Sequence, residues 1–573
     1  MRAVLTLFVL AAFATLASAK PNIILIMTDD QGYGDFGAHG NPKIQTPNLD
    51  AFAKQSMQLR HFYVCPVCSP TRSSLMTGRS TYRTGIVDTA FGRSMMHPDE
   101  TTLAEILGAN GYRTGLFGKW HLGDNYPLRP QEQGFQEVLA IKGGGLGQPS
   151  DLPDGGSYFN PILLHNGKPE RQQGYISDII TTAAINFIEA KSAKPFFVYM
   201  PFNCPHGPLE VGDDELEPYK KMNLALDQFP KTGAPVIGKY SIETTARIYA
   251  MVTNIDRNLG RLFKALDTHK LADDTIVIFL TDNGPQQPRY NSGFRGLKAS
   301  VYEGGVRVPF YARWPGQFPA GKGSDVVAAH IDVLPTLLAA SGVALPKGLK
   351  IDGISVLPAL KGEMMPTPER TIHIQWHRGE VPDMGRSYMA RGPQYKIVQP
   401  QGVQPGPAPK DAKIELYDII NDPAEQTNLA DKHPEIVEKM RKDYEAWFKD
   451  VKADRNFLPP RIIVGSEKEN PSLLTRQDWR GPRSGWTPKD QGFWELNVER
   501  PGTYRVTLFE DKPGDRSGHV LIGGATGEAK FVDGKAVIDK LNVKQGDTRL
   551  EAWLGDAPSS VGPRYVQVER LGD

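Results

Sequence analysis

Between Asn22 and about Pro358, short apolar runs rich in β-branched residues alternate with stretches whose apolar positions recur every three to four residues. That alternation predicts an α/β unit, a mostly parallel central sheet flanked by helices on both faces. Four runs define it. Asn22-Ile23-Ile24-Leu25-Ile26-Met27 ends in Thr28-Asp29-Asp30, and Thr275-Ile276-Val277-Ile278-Phe279-Leu280 ends in Thr281-Asp282-Asn283-Gly284. Thr114-Gly115-Leu116-Phe117 leads into Gly118-Lys119-Trp120-His121, and Pro195-Phe196-Phe197-Val198-Tyr199-Met200 leads into Asn203-Cys204-Pro205-His206. In open α/β sheets ligands bind beyond the carboxyl ends of the strands, where loops converge on a rigid frame. One such cluster would read as a turn or helix cap; four predict a shared site.

From about Thr371 the pattern changes to short extended pieces, Thr371 to Trp376 and Tyr395 to Val398, followed by a helix over about Pro434 to Val451. Ile436, Met440, Tyr444 and Phe448 recur every four residues there, a stripe that should pack on a sheet. Beyond Asn456, Trp494 to Val498 and Tyr504 to Leu508 alternate apolar and polar positions on either side of Arg500-Pro501-Gly502, which predicts an accessory antiparallel β domain. The expected division is a catalytic α/β domain over 20–360, a smaller α+β subdomain over 361–455 and the β domain over 456–573.

The 573 residues exceed what one hydrophobic core supports. A net charge of +1 with dispersed basic residues gives no reason to expect nucleic acid as a partner. Arg2, the apolar run Ala3 to Leu16 and the small residues Ala17-Ser18-Ala19 form a signal-peptide pattern over residues 1–19, so the mature chain is expected to be exported, with no membrane span. The cysteines, Cys65, Cys68 and Cys204, are odd in number, so at least one has a fate other than a disulfide.

The sharpest local motif is Cys68-Ser69-Pro70-Thr71-Arg72, running on to Thr77-Gly78-Arg79. Pro70 suits the first turn of a helix. Cys68 would then sit at a helix N-terminus, where unpaired N–H groups favour an anion, with Arg72 one turn along. These residues resemble the type I sulfatase family, whose signature is Cys-x-Pro-x-Arg continuing to Thr-Gly. The likeness extends over roughly Lys20 to Val451 through Asp29 to Asp35, Thr46-Pro47-Asn48-Leu49-Asp50, Gly118 to Gly123, Pro205-His206, Thr281 to Gly284 and Gly296-Leu297-Lys298.

The resemblance implies an alkaline phosphatase/sulfatase-like fold and a sulfuric ester hydrolase. It implies that Cys68 is oxidised to 3-oxoalanine (formylglycine) by a maturation enzyme. Asp29, Asp30, Asp282 and Asn283, with the modified residue 68, would ligate a metal; oxygen donors suit calcium, with magnesium as the alternative. By the same resemblance Arg72 would stabilise the nucleophilic oxyanion, and Lys119 and Lys298 would balance charge on sulfate. His206 would protonate the leaving alcohol, and His121 would take a proton so that the aldehyde re-forms.

Two other readings compete. Formylglycine also serves phosphonate monoester and phosphodiester hydrolases of the same superfamily. Trp479, Trp486, Trp494 and Trp553 suggest carbohydrate binding without turnover, although Trp494 alternates with Leu496 and Val498 as a core residue would. The expected substrate is a sulfated carbohydrate, with His165, Arg289, Tyr290, Trp376, His377 and Arg378 in polar segments suited to a pocket wall.

Overall fold

The computed structural model describes residues 20–365, 370–407, 409–556 and 559–573; the expected leader, 1–19, lies outside the described residues. Ten strands form the main sheet: β1 (Asn22–Thr28), β2 (Met57–Tyr63), β3 (Arg113–Lys119), β4 (Glu137–Ile141), β5 (Ile162–His165), β6 (Lys168–Arg171), β7 (Phe196–Pro201), β8 (Thr275–Thr281), β9 (Phe310–Arg313) and β10 (Lys322–Ala329). Their order is β10-β2-β9-β8-β1-β7-β3-β4-β5-β6. The centre, β8-β1-β7-β3-β4, is parallel throughout.

The four runs that end in polar clusters are thus four adjacent parallel strands, and their carboxyl ends emerge side by side. The flanks differ from a parallel sheet. β9 runs antiparallel to both neighbours. β5 and β6 form a terminal hairpin because Asn166 and Gly167, both at positive φ, turn the chain directly back.

Alternation along the strands feeds two cores. Ile23, Leu25 and Met27 face one side with Leu75, Met76 and Leu334, whereas Ile24 and Ile26 face the other with Ile255 and Leu259 of the helix Ile242–Thr268. Each fully buried aliphatic side chain contributes about 1.5–3 kcal/mol relative to exposure, so this register is strongly specified.

A four-stranded antiparallel sheet follows: β11 (Ile372–Gln375), β12 (Tyr388–Arg391), β13 (Tyr395–Gln399) and β14 (Glu415–Asp418). The helix Pro434–Arg455 covers it with Met440, Tyr444 and Phe448, and the Tyr444 ring stacks on Tyr388 at 3.6 Å. Between Ile462 and Gly572 two sheets, of five and four strands, enclose a core containing Trp494, Leu496 and Val498. One pairing departs from the antiparallel expectation. Ile462–Val464 runs parallel to Phe493–Val498, because the chain crosses into the other sheet at Ser472–Thr475 before returning. Among the described residues no helix is long and apolar enough to cross a membrane.

Candidate active site

The carboxyl ends of β8, β1, β7 and β3 meet the N-terminus of the helix Cys68–Thr77. Val67 is extended, Cys68 opens the helix, and Arg72 lies one turn on, with every residue of the helix buried. Arg72 donates through Nη2 and Nε to Asp282 Oδ2 at 2.7 and 3.1 Å, and through Nη1 to the Lys119 carbonyl at 2.8 Å. Lys119 Nζ pairs with Asp29 Oδ2, and Lys298 Nζ lies 2.6 Å from Asp30 Oδ1. Asn283 donates its amide to Asp30 Oδ1 at 2.8 Å.

Three carboxylates therefore face three cationic side chains in a closed space. Asp29, Asp30, Asp282, Asn283, Arg72 and Lys119 are essentially inaccessible. Lys298 and His206 each keep 13% of their side-chain surface, so solvent reaches the cluster past these two.

The donor set fits a hard divalent cation. Asp29 Oδ1, Asp30 Oδ2 and Asn283 Oδ1 are buried without a hydrogen-bond partner. One ligand atom each from Asp29, Cys68 and Asp282 lie within 4.8 Å of one another. Orphaned buried oxygens are costly unless something electropositive meets them. His206 Nε2, 3.9 Å from Asp30 Oδ2, is the only imidazole nitrogen grouped with these carboxylates among the described residues. Oxygen ligands of this kind suit calcium or magnesium better than zinc.

The electrostatics are steep. Burial works against an ionised Asp29, but Lys119, His206 and Arg72 outweigh it and hold the carboxyl well below its usual range. Burial and the charge of Asp29 push Asp282 up to about 7. Burial, Lys119 and Arg72 drive His121 far below the usual imidazole value, and burial lowers His206. Burial raises the Cys68 thiol. An unmodified Cys68 would be a neutral thiol and a poor nucleophile.

His121 adopts a left-handed backbone, φ 61°, uncommon outside glycine and concentrated where side chains must be aimed. Its Nε2 lies 2.8 Å from the Thr89 carbonyl. A carbonyl only accepts, so Nε2 carries the proton and Nδ1 keeps a lone pair, buried and without a partner. Gly144 and Gly145 pass beneath the histidines: a Cβ at Gly144 would lie 2.7 Å from the His121 ring, and one at Gly145 3.2 Å from His206.

The substrate-pocket expectations divide. Arg289 is buried, paired with Asp35, and donates to the Asp30 carbonyl at 2.8 Å, so it braces the carboxylate loop; with Tyr290 it also lines a cleft of about 450 Å³ that reaches Gly296 and Leu297. Tyr290 stacks on Phe229, and His165 sits on the edge hairpin between Glu137 and Glu170. Trp376 is buried against Asp88, and His377 accepts from the Asp383 amide; neither is free to meet substrate. Arg378 does approach the site, donating to Asp88 and to the Thr89 hydroxyl with 40% of its side chain exposed.

Sequence patterns gave no sign of Gln477. This residue of the C-terminal β domain donates to the Thr89 carbonyl and to Ser94 Oγ, both at 2.8 Å, with its Nε2 3.2 Å from His121 Nε2. Two N–H groups, one from each domain, therefore converge on one carbonyl. A contact between segments 356 residues apart has no local signature.

A family model described as Sulfatase matches residues 21–343, and one described as N-sulphoglucosamine sulphohydrolase, C-terminal, matches residues 296–450. Human N-acetylgalactosamine-6-sulfatase is 31% identical over 397 residues, spanning 64% of this chain and 70% of that protein. Human arylsulfatase A is 31% identical over 517 residues, spanning 81% and 94%. The solved structure of Ps i-CgsB in complex with k-i-k-neocarrahexaose superposes with a TM-score of 0.65 at 28% identity, over 77% of this chain and 95% of that one. The phosphonate monoester hydrolase of Agrobacterium radiobacter shares the fold alone, with a TM-score of 0.55 at 19% identity over 77% and 96%.

Proposed function

The chain belongs to the sulfatase family and is a sulfuric ester hydrolase; from that premise we propose that it desulfates a carbohydrate, using formylglycine made from Cys68 and a calcium ion held by Asp29, Asp30, Asp282 and Asn283. The observation that carries this reading is the convergence of Cys68 with partnerless carboxylate and amide oxygens and three buried cations. The ion would supply Lewis-acid polarisation of a sulfate oxygen and a template for the nucleophile.

The chain's own groups divide the remaining work. Arg72, locked on Asp282 and the Lys119 carbonyl, holds a permanent charge beside residue 68. Lys119 and Lys298, anchored on Asp29 and Asp30, fix two further charges where sulfate oxygens would lie. His206 and Lys298, at the open side, are suited to deliver a proton to the departing alcohol. His121 presents a lone pair on Nδ1, suited to accept a proton from the nucleophile after ester cleavage.

A carbohydrate substrate is supported by the relatives, an N-acetylgalactosamine-6-sulfatase and a protein bound to neocarrahexaose. Export through the 1–19 leader and maturation by a formylglycine-generating enzyme complete the proposal. Relative rates on an aryl sulfate and an aryl phosphodiester test the reaction: the sulfate should be the better substrate, and preference for the diester would overturn the assignment. Chelation should lower Tm, with calcium restoring it more fully than magnesium; equal restoration would contradict the choice of ion.

A further inference from the structure

The C-terminal β domain does not hang free of the catalytic unit. Gln477 is fastened to Thr89 and Ser94, beside His121. Trp486 packs on Phe91, with ring centres 4.9 Å apart. The segment 89–94 is thus clamped between the active site and the β domain. Next to it the β domain and the loop around Gly147 to Gly156 enclose a cleft of about 460 Å³ lined by Gln148, Asp151, Arg476, Trp486, Glu510 and Arg564.

That cleft adjoins the open side of the active site. At Gly145 a Cβ would meet Gln148 Nε2 and His206 Cε1, each at 3.2 Å, so the Gln148 amide in the cleft wall and His206 flank the same backbone point. His206 is the group assigned to the leaving alcohol. A group attached to that alcohol on this side of His206 would meet Gln148.

The lining has the chemistry of a sugar site. Trp486 offers a partly exposed ring, and among the described residues its Nε1 and the side chains of Gln148 and Glu510 make no hydrogen bond. Asp151 Oδ1 is likewise buried without a partner. The two arginines are already engaged: Arg476 donates to the carbonyls of Thr487, Gly562 and Pro563, and Arg564 pairs with Asp511. Asp151, Glu510 and Asp511 face these two arginines across the cleft, so its lining carries no excess of positive charge; free acceptors, a free amide and an aromatic face there favour a hydroxyl-rich ring over a second sulfate.

We propose that the cleft between the 147–156 loop and the C-terminal β domain is a carbohydrate subsite, which takes an uncharged or amino-sugar residue joined to the one being desulfated. The proposal rests on the carbohydrate-sulfatase reading above. The β domain then confers preference for an oligosaccharide over a lone sulfated sugar, which a domain distant from the site would not do.

The test compares wild type with Trp486→Ala and Glu510→Gln on 4-nitrophenyl sulfate and on two hexasaccharides, k-i-k-neocarrahexaose and one carrying N-acetylgalactosamine 6-sulfate. The ratio of kcat/KM for the hydrolysed hexasaccharide to that for the aryl sulfate should fall about tenfold in Trp486→Ala, chiefly through KM, and several-fold in Glu510→Gln. Because Trp486 also packs on Phe91, Glu510→Gln serves as the variant whose folding is not at stake. An unchanged ratio in both variants overturns the subsite and leaves the carbohydrate reading intact. Wild-type turnover of the aryl sulfate with neither hexasaccharide touched overturns both.

Discussion

At Cys68 burial and the helix N-terminus act on one atom in opposite senses: the helix favours an anion, while the dry surroundings keep a thiol protonated. Cys68→Ser preserves size and position but cannot become an aldehyde. Its turnover of an aryl sulfate should fall by at least about 10³-fold while Tm moves by no more than ~2 °C; activity within tenfold of wild type would contradict the role. Cys65 is separate, its Sγ lying 3.3 Å from His330 Nε2, and no disulfide joins any of the three cysteines. The ten residues predicted from the motifs do come together, because they lie at or just beyond the carboxyl ends of β1, β3, β7 and β8, on the first turns of the helix Cys68–Thr77, or, for Lys298, in the loop after β8. The side chains that hold them, Arg289 under Asp30 and Gln477 beside His121, were not legible, since their partners lie 254 residues or more away.

At the scale of elements, the strands were legible where both faces are buried, as in β1 and β8, since continuous apolar runs there have no other explanation. The edges were not. β6 is exposed along its whole length, and only the Asn166-Gly167 turn betrays its hairpin. The helix Pro434–Arg455 was read from its stripe and extends four residues further, to an Asn456 cap in the left-handed region. The glycine run 143–145 is the loop through which active-site geometry is most exposed to change. Gly144→Ala would drive a methyl into the His121 ring, so kcat should drop about tenfold or more with KM little altered. Kinetics matching wild type would mean that this loop does not position His121.

For the whole molecule, attachment of the β domain through Gln477 makes the sandwich part of the catalytic unit. Gln477→Ala should lower kcat several-fold on even the smallest aryl sulfate by freeing the Thr89 carbonyl that fixes the His121 tautomer; a variant with unaltered kcat would reduce the contact to simple packing. Stability should also depend on pH in a definite sense. Burial holds His39 and His373 at about 4 and His330 at about 3, against an ordinary 6.5. Below pH 6.5 the unfolded chain takes up protons that the folded chain refuses. The free energy of unfolding should therefore fall as pH drops from about 6.5 toward 4, each histidine contributing up to about 1.4 kcal/mol per pH unit. Urea midpoints measured across that window check this, and a midpoint that rises with acidification would contradict it.

The central claim concerns what residue 68 is in the active protein. Peptide mass spectrometry across Tyr63 to Arg79, on enzyme from a host able to modify the cysteine, reads it directly. The account predicts the aldehyde mass at position 68, in a fraction that tracks specific activity from one preparation to the next. A fully active preparation carrying only the unmodified thiol would contradict it.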